Sequence, residues 1–268
     1  DAMLLSQIAE WEYPSHRPDI ILALETGMGR LGFLNRSEDL SQISDIAALH
    51  NLNIMGVLSH FAASEIGDPQ YAQAQILKMK SFTDVLKDYG VHPDFTTMAN
   101  SSAIVNYPEA HYDAVRPGIT LYGLHPGPEN DRSVMPLKPV MSVKSNLVYL
   151  KRVPAGFSVS YGMTYTTERE SLIGTLPLGY ADGLFRVLSN RGRVLVNGVY
   201  APIVGNVCMD QCLIDVTDVP EVKEYDEVVL LGEQGGLKIT ADELATLCNT
   251  ISYEIVCRFG QRLPRIYK

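Results

Sequence analysis

The sequence predicts an α/β first half, the second half of a parallel (β/α)8 barrel over residues 1–132, followed by a mainly β C-terminal domain over residues 133–268. Upstream of about residue 130, short apolar runs alternate with segments of helical spacing, the pattern of right-handed βαβ units and a parallel sheet. Downstream, short alternating strands and turns dominate. Size adds a constraint. Only about four strand–helix units fit before residue 130, whereas a closed eightfold barrel needs roughly 250 residues, and half a barrel cannot bury its own sheet.

Leu4, Leu5, Ile8 and Trp11 recur at helical spacing, so the pattern opens inside a helix and predicts an N-terminal portion that supplies the rest of the barrel. Asp19 to Glu25 is a mostly apolar run suited to a strand in a parallel sheet. Ser37 is the expected cap of a helix with Glu38 and Asp39 in its first turn and Leu40, Ile43 and Ala47 on one face. Ile54 to Leu58 is the next strand, ending at Ser59 and His60. A helix follows from Pro69 to Tyr89 and stops at Gly90, a residue suited to a left-handed cap. Thr97 to Val105 and Val115 to Tyr122 read as further strand-like pieces. In the second half, Val140 to Leu150 reads as one long strand and Pro154-Ala155-Gly156 as a turn. Asn197-Gly198 between apolar runs predicts a type I′ hairpin over Val194 to Tyr200. Tyr225 to Leu231 is another strand, and a single short helix is expected from Thr240 to Leu247, opened by a capping box of Thr240 and Glu243.

Composition limits the function. A hydrophobic share of 46% with 20% charged residues is the balance of a soluble globular protein. The formal net charge of −9 argues against a nucleic-acid surface, which needs clustered Lys and Arg. No run approaches the roughly 18 apolar residues of a membrane-spanning helix, and no basic start leads into an apolar segment as in a signal peptide. A cytoplasmic protein is expected. Cys208, Cys212, Cys248 and Cys257 lack CxxC spacing and nearby histidines, so they read as reduced thiols and no metal site is expected.

The stretch on which the chemistry centres is Val115 to Gly123, where Arg116 precedes a Pro-Gly turn just before the periodicity changes. Such a junction can draw a small-molecule pocket from two domains; a surface arginine beside a turn is the alternative. The glycine-rich run Thr26 to Phe33 follows a strand but lacks the Lys-Ser/Thr of a P-loop. It is either a tight connecting loop or one that turns Arg30 inward. His60 ends a strand on the face where parallel barrels keep their active sites, with a structural histidine as the competing reading. Asn100-Ser101-Ser102, together with the amides of Gly118 and Ile119, forms a candidate phosphate cradle or an ordinary capped turn. In the β half, Tyr161 and Tyr180 stand beside glycines that offer little to pack on, although a core tyrosine is the default reading. Cys208-Met209-Asp210-Gln211 is a polar and apolar mixture after Gly205.

ETGMGRLGF, SHFA, ANSS, VRPGITLYG, VSYGMTY, LGYADG, IVGNVCMDQ and SYEIVCRFGQRLPR occur in this order and together closely resemble the alanine racemase family, pyridoxal-phosphate enzymes of fold type III. The resemblance covers essentially the whole chain, which looks like everything after the family's first third. It implies the C-terminal part of a PLP-binding, TIM-like (β/α)8 barrel over 1–132, a β-rich domain over 133–268, and pyridoxal 5'-phosphate as cofactor. It further implies interconversion of L- and D-alanine by two-base proton transfer in a cytoplasmic homodimer with shared active sites, supplying D-alanine for peptidoglycan. Carried over by position, Arg116 would hydrogen-bond the pyridine nitrogen, and Ser101, the amides of Gly118 and Ile119, and Tyr253 would bind the phosphate. His60 would lie near the ring and connect Arg116 to a tyrosine. Tyr161 would act from the partner subunit as base on the L-enantiomer, helped by a cationic His–Arg neighbourhood that offsets a phenol pKa near 10. Tyr180, Met209 and Asp210 would line the substrate entrance, and Arg30 would meet the substrate carboxylate.

Two departures from the family pattern stand out. The family's opposite base is the cofactor-bound lysine of a Lys-Ala-Asn-Ala-Tyr-Gly-like motif, and no lysine here has that context; Lys78, Lys80 and Lys87 lie on a predicted helix. The expected enzyme is therefore the full-length protein, with a non-catalytic PLP-binding scaffold, or a serine or broad-specificity racemase, as alternatives. At Ala23, seven residues before Arg30, many family members carry a carbamylated lysine, so Arg30 needs another partner, an anion or a neighbouring carboxylate.

Overall fold

The computed structural model describes residues 2–12, 17–65, 69–127 and 133–268. By compactness the chain divides into two units, Asp1–Lys138 and Pro139–Lys268. None of the described helices is long and apolar enough to cross a membrane.

The first unit holds a parallel three-stranded sheet in the order β1 (Asp19–Ala23), β2 (Asn53–Leu58), β3 (Phe95–Thr97). Around it run α1 (Ala2–Glu12), α2 (Ser37–Ala47), α3 (Pro69–Leu86) and α4 (Ser101–Asn106). Leu22, Leu24, Ile43, Val57, Phe61 and the α3 residues Met79, Phe82 and Leu86 form its buried core. Strand–helix alternation is therefore present, with several local differences from the sequence reading. Helix α1 buries Ser6 and Ala9, while Leu4, Ile8 and Trp11 face outward, Trp11 at 92% exposure. Helix α2 takes Arg36 as its cap residue, not Ser37, and Asp39 in its first turn reaches back to accept from the Leu34 amide (2.9 Å) and Arg36 Nε (2.8 Å). The helix after Pro69 tightens into a 3-10 turn over Lys87–Tyr89 before Gly90, whose φ is 75°. β3 stops at Thr97, because the Asn100 side chain accepts from the Ala103 amide (3.0 Å) and starts α4 there. The second strand-like piece, Val115 to Tyr122, is a loop closing in a 3-10 turn, Ile119–Tyr122; Ala114, just before it, makes an isolated parallel bridge with Thr97.

The second unit is mainly β. One sheet runs β10 (Val199–Pro202), β9 (Arg193–Val196), β12 (Glu227–Gln234), β13 (Leu237–Ile239), with β4 (Val143–Asn146) also on β12. Another runs β11 (Cys212–Asp215), β8 (Ser171–Leu176), β5 (Tyr149–Val153), and β6 (Ser158–Val159) pairs with β7 (Tyr165–Thr166). The expected single strand from Val140 to Leu150 is two strands. Leu147, fully buried, donates its amide to Asp226 O while the next amide donates to Thr175 O, so the chain changes sheets at that step. Asn197 and Gly198 both have positive φ (49° and 74°), the geometry of a type I′ turn between β9 and β10. Helix α5 (Ala241–Cys248) starts at Thr240, whose hydroxyl accepts from the Glu243 amide (3.0 Å). A second helix, α6 (Ser252–Arg258), corrects the expectation of a single one; its cap residue Ile251 offers no side-chain acceptor to betray it.

Candidate active site

In the first unit the C-terminal ends of β1 and β2 and the loops after them meet at a cavity of about 270 Å³, lined among others by Ala23, Met28, Arg30, Ser59, His60 and Arg116. Adjacent strand ends are tied crosswise. The Ser59 hydroxyl donates to Leu24 O (2.8 Å) and contacts Thr26 Oγ1 (2.7 Å), and the Ser59 amide donates to Thr97 O (3.1 Å). From α3, Tyr71 donates to Gly27 O (2.6 Å), and Gln75 holds both loops through Thr26 Oγ1 and His60 O.

Arg116 is aimed into this cavity by its own backbone, whose amide donates to Ala99 O (2.9 Å), and by the fixed ring of Pro117 after it. Nη1 donates to Thr97 Oγ1 (2.9 Å); Nη2 donates to Ser59 O (2.6 Å) and contacts His60 Nδ1 (3.1 Å). Burial lowers the pKa of this guanidinium, yet it stays a cation throughout the physiological range. A guanidinium only donates, so His60 Nδ1 accepts and the ring is neutral, with its proton on Nε2. Burial, and after it the charges of Arg116 and Arg30, push the His60 pKa down, consistent with that tautomer. The positive charge expected of a His–Arg neighbourhood thus sits on the arginines. Among the described residues, Arg116 Nε has no acceptor.

Arg30 lines the same cavity without a carboxylate partner among the described residues, and Ala23 is part of the same wall. Glu25 does not serve Arg30: its carboxylate accepts from the Gly27 and Gly29 amides and so shapes the loop that carries the arginine. Gly27, Gly29 and Gly32 also have the spacing of a dinucleotide-binding turn. Here Gly32 (φ 119°) turns the chain so that Phe33 bridges Leu24, and no helix begins until Ser37; the helix N-terminus that would hold a pyrophosphate is missing from this loop.

Ser101 is buried. Its hydroxyl accepts from the Gly118 amide (2.8 Å) and contacts Thr120 Oγ1 (3.2 Å), which brings Ser101 against the Gly118–Thr120 turn.

In the second unit, Tyr161, Tyr180, Met209 and Asp210 lie on three adjoining loops. The Tyr180 amide donates to Cys208 O (3.0 Å) and the Ala181 amide to Met209 O (2.8 Å), zipping the second loop to the third. Buried Asp182 holds the second loop, accepting from the Gly179 amide (2.9 Å) and facing Arg262 Nε (3.1 Å). Tyr161 is 73% exposed, and its loop has three positive φ values, Ser160 at 66°, Gly162 at 73° and Met163 at 49°. With ψ near 180°, Ser160 occupies a region nearly reserved for glycine, at a cost of about 1–3 kcal/mol. Its hydroxyl donates to Asn206 O (2.6 Å), and Asn206 Nδ2 donates to Tyr161 O (2.7 Å). Tyr253 stands half-buried on α6 in this unit. Sequence reading missed Thr97, Gln75, Asp182 and Asn206; only Asp182, within a Gly-Tyr-Ala-Asp-Gly run, had a local signal.

Two family models match the chain: "Alanine racemase, N-terminal domain" over residues 2–126 and "Alanine racemase, C-terminal domain" over 140–267. Alanine racemase 1 of Clostridium acetobutylicum is 45% identical over 248 residues, covering 92% of this chain and 64% of that protein. The chain thus spans less than two thirds of that relative's length. Alanine racemase of Clostridium kluyveri is 43% identical over 99% of this chain and 68% of its own length. The solved structure of alanine racemase from Clostridium difficile 630 superposes with a TM-score of 0.93 at 32% identity, over 100% of this chain and 68% of that one.

Proposed function

The chain belongs to the alanine racemase family, whose members depend on pyridoxal 5'-phosphate, and we propose that the full-length protein carrying it interconverts L- and D-alanine in the cytoplasm as a homodimer with shared sites. In this reading β1 to β3 are part of a (β/α)8 barrel, and residues 1–132 and 133–268 are its two functional domains in this chain. The observation that carries the proposal is that Arg116 lines the cavity with its Nε without an acceptor among the described residues, while Nη1 and Nη2 are each already engaged.

Arg116 Nε would donate to the cofactor's ring nitrogen; a guanidinium cannot give up its proton, so that nitrogen stays unprotonated. Bound there, the cofactor supplies electron withdrawal that acidifies the substrate's α-hydrogen, and an unprotonated ring keeps that withdrawal moderate. Ser101, the Gly118 and Ile119 amides and Tyr253 would hold the phosphate, and His60, held neutral by Arg116, would flank the ring. Tyr161 of the partner subunit would take the α-hydrogen of L-alanine onto its phenolic oxygen, favoured by the cationic arginines. Arg30 would face the substrate carboxylate, while Tyr180, Met209 and Asp210 would frame the entrance. The opposite base, a lysine, has no counterpart in residues 1–268 and is assigned to the length of the relatives that this chain does not cover.

The test is formation of D-alanine from L-alanine, and the reverse, by the full-length protein loaded with pyridoxal phosphate. Tyr161→Phe should lower kcat/KM by about 10²- to 10⁴-fold in both directions, the usual contribution of a positioned proton-transfer group. Absence of alanine racemisation by the loaded wild type would point to a PLP-binding scaffold and end the proposal.

A further inference from the structure

Resting on the assignment of Tyr161 as a base, we propose that Ser160 and Asn206 are its positioning residues, forming a two-point clamp that fixes the backbone from which the phenol projects. Tyr161 is 73% exposed in this chain, so side-chain packing within the chain does not hold the ring. What aims it is the direction of its Cα–Cβ bond, which the backbone on either side sets. That backbone is unusual: Ser160 (φ 66°), Gly162 (φ 73°) and Met163 (φ 49°) surround the tyrosine with left-handed conformations. Such a run persists only where its surroundings over-determine it.

The clamp is visible on both sides of the tyrosine. Before it, the Ser160 hydroxyl donates to the Asn206 carbonyl (2.6 Å); at it, Asn206 Nδ2 donates to the Tyr161 carbonyl (2.7 Å). Asn206 is itself held by its neighbour. Gly205 has φ 73°, its amide donates to Asn190 Oδ1 (2.6 Å), and a Cβ there would come within 2.6 Å of Ser160 Cβ. Asn190 also reaches forward, donating to Thr164 Oγ1 (3.0 Å) just past the tyrosine loop. The arrangement thus links both flanks of Tyr161 to one loop, Gly205–Asn206, and explains why a serine tolerates a glycine-like conformation directly before the reactive group. An error of about 1 Å in the placement of a reacting group can cost roughly 10²-fold in rate, so loss of the clamp should be felt at the phenol before it is felt in the fold.

A racemase has two bases, and only one depends on this clamp. The full-length holoenzyme is therefore followed in D2O by the initial rate at which L-alanine, and separately D-alanine, loses its α-hydrogen. Asn206→Ala and Ser160→Gly are compared with Tyr161→Phe; Ser160→Gly removes the hydroxyl but keeps a residue at ease at φ 66°, so it tests the clamp without backbone strain. We expect Asn206→Ala and Ser160→Gly to slow exchange from L-alanine by roughly 10- to 100-fold relative to D-alanine, with pyridoxal-phosphate affinity, read by fluorescence titration, unchanged. Equal slowing from both enantiomers, or no slowing, overturns the clamp. If Tyr161→Phe itself leaves the ratio of L to D exchange unaltered, the assignment of the base falls instead.

Discussion

The guanidinium of Arg116 donates to Thr97 Oγ1, Ser59 O and His60 Nδ1, so it is a structural tie between strand ends as well as a candidate cofactor ligand. The tie makes the site sensitive to acid through His60. Burial and the two arginine charges hold the folded histidine below its ordinary 6.5, whereas the unfolded chain keeps the ordinary value. As pH falls below about 6.5 the unfolded chain takes up a proton that the folded one refuses, so stability drops until the folded histidine is protonated too. In His60→Asn the amide oxygen can accept from Arg116 without titrating. Its urea midpoint should fall less between about pH 7 and about pH 5 than that of the wild type; an equal fall removes His60 from the explanation. The residues of this pair were legible as candidates from a strand end and a Pro-Gly turn. Their protonation was not, because it depends on Nδ1 facing Arg116 across 56 residues of sequence.

Helix α3 was legible as an element but not in its function. Met79, Phe82 and Leu86 lie on its buried face. Its polar side chain marks Gln75 as a surface residue by type, yet it lies four residues before Met79 on the buried face and is 1% exposed, since its amide group serves three backbone or hydroxyl partners at once. Nε2 donates to His60 O (3.0 Å) and Thr26 Oγ1 (3.2 Å), and Oε1 accepts from the Ala62 amide (3.0 Å). The helix therefore sets the distance between the loop of Arg30 and the strand end of His60. Gln75→Leu keeps the volume and strands these partners in a buried place, so it should destabilise the first unit by about 3 kcal/mol in urea unfolding. A loss below about 0.5 kcal/mol, typical of surface changes, contradicts the bridging role. The elements that sequence reading misplaced have separate causes: the break at Leu147 is decided by partners far along the chain, α6 by a cap residue without a side-chain acceptor, and α4 by the local Asn100 cap overriding the strand-like run that follows it.

At the scale of the whole molecule, the sequence separates a strand–helix half from a strand–turn half, and the structure has a compact unit for each pattern, Asp1–Lys138 and Pro139–Lys268. Local periodicity suffices for that separation because parallel and antiparallel sheets bury their faces differently. How the candidate groups of one unit meet those of the other is a matter of assembly, which no local pattern encodes. The first unit supplies Arg116, and the second supplies Tyr161 on a loop that also exposes Met163. If the sites are composite, as proposed, each needs Arg116 from one subunit and Tyr161 from its partner. Tyr161→Phe and Arg116→Ala should each be inactive alone. A dimer made of one copy of each has one site with both changes and one with neither. Unfolded together in equal amounts and refolded with cofactor, the two variants form mixed dimers about half the time, so about a quarter of wild-type activity should return. If instead both groups act within one subunit, every site in every dimer carries one change and the mixture stays as inactive as its components.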